Sequence, residues 1–265
     1  FNPSFNMVLL EAFLLRLAFL IFPVITAIFT PVFCSIVKKC DKLYKAETRT
    51  VVKSDKHNSN SGFTRSKYIV FIILSGFLSL LSAFVYYGIF GWVTSLLNEK
   101  FGMSSSLSSL TTVLIPLAVY IGPLLQTRFC RRKSVWYVGI AFSAIMLLFP
   151  ITLAVFYKFN ILLTLLLTIG MLIFDRGINN LVALEIPLRY RENINSGTLG
   201  TVLNVFGSVG AAIGAPVIGN VIDNYGYSAS YWFVAGSIVI MLAFIIPGEL
   251  IFSKKSNRIT SVIHR

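Results

Sequence analysis

Between Thr198 and Ile222 the chain carries no charged residue. A helix of that length covers roughly the 30 Å hydrocarbon core of a bilayer. Inside lipid every backbone N–H and C=O needs a partner from the chain itself, so such a run is committed to a helix. Its small residues narrow the choice further. Gly210 and Gly214 stand four apart, as do Gly207 and Ala211, Ala211 and Ala215, and Ala215 and Gly219. At helical spacing they form one smooth ridge, along which a second helix can bring its backbone close. Asp223 and Gly226 close the span.

Six other apolar runs share this character, at about 17–37, 68–96, 105–125, 135–156, 160–184 and 231–252. The first is kinkable at Pro23 and Pro31. Hydrophobic residues make up 56% of the 265 positions and charged residues only 12%, about half the charge of a soluble domain. The pattern predicts an all-α polytopic membrane protein with seven transmembrane helices.

A net charge of +13 would suit a nucleic-acid binder, but its distribution excludes that reading. Segments 38–67, 128–133, 189–192 and 254–265 hold 19 of the 23 Lys and Arg. If every span crosses once, all four lie on one side, which the positive-inside rule makes cytoplasmic. Only Lys100 and Lys158 fall in the opposite loops. The protein is thus expected in the plasma (inner) membrane with its C-terminal tail, 253–265, in the cytoplasm. Segment 38–67 holds nine basic and three acidic residues around an HNSNSG core, the composition of a flexible tether, with lipid-headgroup contact or regulation as its functional alternative. Cys34, Cys40 and Cys130 form no even framework, and no structural disulfide is expected. His57 and His264 sit in tether and tail, and no phosphate loop, zinc spacing or nucleophile triad occurs. Neither an enzyme nor a cofactor or metal is expected.

Asp175 and Arg176 interrupt the fifth span. A charge near the middle of a span costs about 2.5–3.5 kcal/mol on insertion scales, so it faces a partner or a watery path. Asp175 shares a helix face with Asn179, and Arg176 shares one with Asn180. Neighbouring residues point about a third of a turn apart, so the two charges need not pair. The functional reading gives Arg176 an anionic solute group and Asp175 a proton or counter-ion; the structural alternative is a buried polar network. Tyr86 and Tyr87 are candidates for hydrogen bonding and stacking on a ligand, and Trp92 for the same role or for an interfacial belt. Asn204 either lines a cavity or bonds a neighbouring helix. Glu185, near Arg189 and Arg191, reads as an inner-surface ion pair in preference to a proton-coupling group, and Asp223 as a cap on the outer helix end or a loop in preference to a substrate contact.

These same residues carry a resemblance. Ala183-Leu184-Glu185, then Gly197-Thr198-x-Gly200, Phe206-Gly207-x-x-Gly210 and Gly219-x-x-x-Asp223-x-x-Gly226 resemble helices ten and eleven of the major facilitator superfamily, most nearly the organophosphate:phosphate antiporter branch. Arg16-x-Ala18-Phe19 resembles the start of helix six. Gly88-Ile89-x-x-Trp92 resembles helix seven of that branch, where an arginine two residues before the glycine helps bind phosphate; here that position is Tyr86. The superfamily's G-x-x-x-D-R/K-x-G-R-R/K turn survives between the third and fourth spans only as Gly122 and the basic cluster Arg128, Arg131, Arg132 and Lys133, with Gln126 in place of the acid and Phe129 in place of the second glycine.

The resemblance implies that residues 1–37 hold helix six, 38–67 the cytoplasmic linker between halves, and 68–252 the six-helix C-terminal half-bundle. Helices one to five would then lie outside this sequence. Its natural start is expected upstream of Phe1. The implied function is secondary transport of a small polar or anionic organic solute, such as an organophosphate, by alternating access between two half-bundles. The implied partners are that solute, the lipid bilayer and the missing N-terminal helices, with no nucleic acid. Two alternatives stay open: a seven-helix receptor, and a non-transporting sensor on the transporter fold. Against the receptor, Asp175-Arg176 is followed by Gly177 in the fifth span, and no Asn-Pro-x-x-Tyr occurs in the last. The orientation is testable: in a variant with its native cysteines removed, Lys158→Cys should react with a membrane-impermeant maleimide in intact cells, and Lys133→Cys only after permeabilisation.

Overall fold

The computed structural model describes residues 65–191, 194 and 196–263, with side chains described through Phe252. The first span, nearly all of the basic tether, Cys34, Cys40, His57, His264 and the side chains of the basic tail lie outside the described residues. The described residues are all-helical, with no strand, as the apolar runs require. Helix α1 is Arg65–Phe101, α2 Ser105–Val119, α3 Ile121–Cys130, α4 Val135–Phe156 and α5 Ile161–Asn180. A five-residue π turn, Leu181–Glu185, and a short α6, Ile186–Arg189, extend α5. Helix α7 is Ser196–Ile263.

Five helical runs are long and apolar enough to cross a membrane: Ser66–Phe101, Ser105–Cys130, Val135–Phe156, Ile161–Arg189 and Ser196–Phe252. The last has 57 residues, about 85 Å of helix, enough for two crossings. It breaks at Gly226, whose φ of 80° and ψ of 174° belong to a region open essentially to glycine alone. The described residues thus supply six crossings, in the positions the hydropathy pattern marks. One boundary differs from expectation. An outer loop is expected over 223–230, but helix runs up to both sides of Gly226. Asp223 is therefore an exposed residue within the first arm of α7, not a cap.

Both arms of α7 pack across the bundle, chiefly on α1 and α4, while α5 packs on α4, α3 and α1. The small-residue ridge faces α1. A Cβ on Gly210 would fall on the Leu80 carbonyl, and one on Gly214 would come within 2.6 Å of the Phe84 carbonyl oxygen. From the other side, a Cβ on Gly88 would come 2.7 Å from Ile218. Two side chains stitch the seam: Ser79 Oγ donates to the Leu203 carbonyl at 2.7 Å, and Trp92 Nε1 to the Ala215 carbonyl at 2.9 Å. The outward surfaces of α2 and α3 stay apolar and exposed, with Val113, Leu117 and Leu124 each more than two-thirds accessible. A soluble protein would cover that surface; a membrane protein presents it to lipid.

One end of the bundle is sealed by Phe71, Trp136, Tyr190 and Phe252. Phe71 lies 4.6 Å from Tyr190 and 5.1 Å from Phe252, centroid to centroid. Trp136 Nε1 donates to Tyr190 Oη at 3.0 Å. Burial pushes the Tyr190 phenol up to about 12, so it keeps its hydrogen to donate toward the Phe252 carbonyl at 3.5 Å. The opposite end joins Tyr227 Oη to Glu99 at 3.1 Å, with Lys100 over the Tyr227 ring.

Because a side chain at Gly210 would collide with backbone and not with a yielding side chain, Gly210→Val should cost at least the 1–3 kcal/mol typical of overpacking. Gly200→Ala, where nothing lies within 4 Å, should be tolerated. Thermal unfolding of the detergent-purified variants, followed by size-exclusion chromatography, separates the two; equal melting temperatures would contradict the close seam.

Candidate functional site

Helix α5 starts from Asn160, whose side chain accepts the Leu162 N–H at 2.7 Å, and then runs apolar until Asp175 and Arg176. Its neighbours come close because of two glycines. A Cβ on Gly122 would fall on the Ile173 carbonyl, and one on Gly177 would come 2.5 Å from Phe142. Helices α3 and α4 therefore grip α5 around its charged pair. Gly122, which the sequence reading assigns to a degenerate turn motif, acts here as a contact between helix backbones.

Asp175 and Arg176 point to different neighbours, as their helical offset requires. The Arg176 guanidinium carbon lies over the Tyr86 ring, 3.3 Å from its centroid, and 5.7 Å from that of Tyr87. Tyr86 is itself held by a stacked Phe90 at 5.5 Å and by the edge of Tyr87 at 5.2 Å. Tyr86 is 5% exposed and Tyr87 44% exposed, so the stack runs from the bundle interior to its open side. A desolvated cation–π contact of this kind is worth about 2 kcal/mol or more. The hydroxyls of Tyr86 and Tyr87 also act on the guanidinium as hydrogen-bond partners, so the two tyrosines hold it without neutralising its charge. Among the described residues the one ion pair is Arg189 with Glu185, at 3.5 Å; no carboxylate lies within 4.0 Å of Arg176.

Asp175 has no exposed surface. Ser82 Oγ lies 3.2 Å from Oδ1 and 3.5 Å from the Asp175 carbonyl oxygen. Oδ2 has no hydrogen-bond partner. Asn179 is half-buried, one turn beyond Asp175 on the same helix. Asn180 instead donates to Gln126 Oε1 at 2.6 Å, and Gln126 Nε2 to Cys130 Sγ at 2.9 Å. Arg189 completes this end by donating to the Cys130 and Lys133 carbonyls. Gln126, standing where the superfamily turn has an acid, thus works as a neutral buried bridge between α3 and α5.

The structure brings Asp175, Arg176, Tyr86 and Tyr87 together at the contact of α1 with α5. Asn204 lies elsewhere, exposed on α7, where its carbonyl accepts the Ser208 hydroxyl at 2.9 Å. Trp92 is taken up by the α1–α7 seam, against Gly219. Glu185 forms the ion pair expected of it. Sequence reasoning missed Ser82. A signal was present: Ser75, Ser79, Ser82 and Tyr86 recur at helical spacing on an otherwise apolar helix, and the three serines are all buried.

No family model matches the chain, and no curated protein matches it. Among solved structures it is similar to the crystal structure of the POT family transporter PepTSo, with a TM-score of 0.60 and 15% identity over 68% of this chain. The match covers 37% of that protein. The likeness establishes the fold: an all-α polytopic membrane architecture shared with a transporter.

The Gln126 bridge makes a separate prediction. Asn180→Leu would leave Gln126 Oε1 buried without its donor, a loss of about 1–3 kcal/mol. The double variant Asn180→Leu, Gln126→Leu should recover much of it in thermal unfolding. A double variant no more stable than the single one would show that the bridge is incidental.

Proposed function

We propose that this chain is the carboxy-terminal part of a secondary transporter of the major facilitator type, moving a small polar or anionic organic solute by alternating access. The observation that carries the reading is Arg176: a cation within a membrane span, fixed by its face on Tyr86, with no carboxylate partner among the described residues. A guanidinium has more N–H donors than two tyrosines take up, so it keeps charge and donors for a carboxylate or phosphate. Tyr87, exposed beside it, supplies a hydroxyl and an apolar ring for the rest of the solute. The fold shared with a transporter supports the assignment.

In this reading 68–252 is one half-bundle, and 1–37 the last helix of the other, whose first five helices complete the cavity from elsewhere in the same protein. The basic segments face the cytoplasm, and the C-terminal tail with them. Arg176 from α5 takes the place of the arginine that the organophosphate branch carries where this chain has Tyr86. The anionic group is then approached from α5 and not from α1, while Tyr86 positions the cation. Asn179, one turn from Asp175, completes the polar lining.

The test is uptake into liposomes containing the purified full protein, comparing glycerol phosphate and hexose phosphates with glucose. Phosphate esters should enter and glucose should not. Arg176→Ala should lower phosphate-ester uptake by about tenfold to a hundredfold, the 1.5–3 kcal/mol of a charge-assisted hydrogen bond, and Arg176→Lys should restore part of it. Uptake of glucose at the same rate, or phosphate-ester uptake indifferent to Arg176→Ala, would refute the assignment. Binding without uptake would move the protein to a sensor on the same fold.

A further inference from the structure

Asp175 is the one carboxylate among the described residues with no accessible surface, and its two oxygens are unequal. Oδ1 faces Ser82 Oγ at 3.2 Å; Oδ2 faces no donor. Two protonation states can be tried in this geometry. As a carboxylate, Asp175 takes the Ser82 hydrogen on Oδ1 and leaves charge on Oδ2 with no hydrogen bond to stabilise it, a severe cost inside a membrane span. As a neutral acid, the proton sits on Oδ1 and is donated to Ser82 Oγ. The Ser82 hydrogen then turns to the Asp175 carbonyl oxygen, which lies 3.5 Å from Oγ. Oδ2 becomes an ordinary carbonyl oxygen, far cheaper to leave bare than a charged one. One hydroxyl thus serves as acceptor and donor at once, and both of its contacts are satisfied only when the proton is present.

Among the described residues the surroundings supply no rival proton acceptor, and the one cation that acts on the carboxyl is Arg176. From α1, the polar groups near α5 are Ser82, Tyr86 and Tyr87, and the two tyrosines hold Arg176. Helix α2 has no ionisable side chain, α3 has only Arg128 and Cys130 near its end, and α4 only Tyr137 near its start. The adjoining π turn contributes Glu185, which is paired with Arg189. The nearest charge is Arg176, next in sequence but drawn to the Tyr86 ring.

We propose that Asp175 is a proton-binding site, with Ser82 as the hydroxyl that receives its hydrogen bond. The step is a proton transfer alone: a proton adds to Oδ1 to give the neutral acid and leaves to give the carboxylate. Taken with the transporter reading, on which only this consequence rests, the site names the coupling ion. When Asp175 is neutral, Arg176 stays free for the solute anion. When Asp175 is ionised, its charge competes with that anion for the same guanidinium. Proton and anion therefore favour each other's binding, and the thermodynamic coupling is reciprocal.

Infrared spectroscopy of the full protein in lipid tests the site without any solute. The carbonyl stretch of a protonated carboxyl group should be present at neutral pH and vanish in Asp175→Asn, which keeps shape and volume. In Ser82→Ala the same band should remain but shift, because the carboxyl loses its hydrogen-bond acceptor. A spectrum unchanged by Asp175→Asn would overturn the proposal. So would a sodium-dependent rise in thermal stability that Asp175→Asn abolishes, since sodium would then be the ion bound. The readout is independent of the transport assay: a band lost in Asp175→Asn stands even if no phosphate ester enters. Uptake that depends on Arg176, without such a band, would keep the transporter and remove the proton site.

Discussion

The approach of two helix backbones, α1 and the first arm of α7, is the contact on which the remaining geometry depends. Lipid removes most of the hydrophobic incentive for helices to associate, so van der Waals packing and interhelical hydrogen bonds must hold the pair. Glycine maximises both, because it lets carbonyl groups of one helix lie against the bare backbone of the other. At Gly210 and Gly214 even a methyl group has no room. The Ser79 and Trp92 hydrogen bonds, each to a backbone carbonyl of α7, then fix the rotation of α1 as well as its distance.

That rotation determines what α1 offers to α5. Ser79 is committed to α7, and Ser82 and Tyr86, three and seven residues on, turn toward the middle of α5. Ser82 and Tyr86 are one helical turn apart on α1, and Asp175 and Arg176 are adjacent on α5. Each charge therefore receives a different partner from one short stretch of α1. A slip of one residue in the α1–α7 seam would rotate α1 by about 100° and separate both pairs. The functional constellation is in this sense a by-product of the glycine seam: rigid helices, and not loops, hold the groups in place.

How much of this was readable beforehand differs by feature, for physical reasons. Span positions follow from hydropathy because lipid tolerates so few alternatives, and α4 coincides with the run read from sequence, 135–156. The glycine ridge was legible as a packing face because small residues at intervals of four have one geometric meaning. Its partner was not legible, since any apolar helix could receive it. Asp175 and Arg176 stood out because charge in a span is costly, but Ser82 did not. A serine is inexpensive in a helix, where its hydroxyl can bond the preceding turn, as Ser75 does with the Phe71 carbonyl at 2.6 Å. Its commitment to a distant acid leaves no local trace. Asn204 shows the converse ambiguity: a polar residue in an apolar helix suggests a cavity, but an exposed face suits it equally well.

The adjacency of Asp175 and Arg176 also explains why the site is not a simple internal salt bridge. Two oppositely charged side chains on neighbouring residues of a rigid helix diverge by about 100°. Pairing them would need both to bend back along the helix surface. The bundle supplies a better arrangement for the cation in the Tyr86 ring, which attracts it without neutralising it. A carboxylate in that position would neutralise the guanidinium, whereas the two tyrosines hold it and leave its charge to attract an incoming anion. The acid, its nearest cation turned to the tyrosines, is left with one hydroxyl as hydrogen-bond partner and one oxygen without any. The same divergence that frees the arginine thus makes the aspartate dependent on a proton. Two chemically opposite demands, an available cation and a buried acid, are met by a single dipeptide placed where α1 and α5 meet.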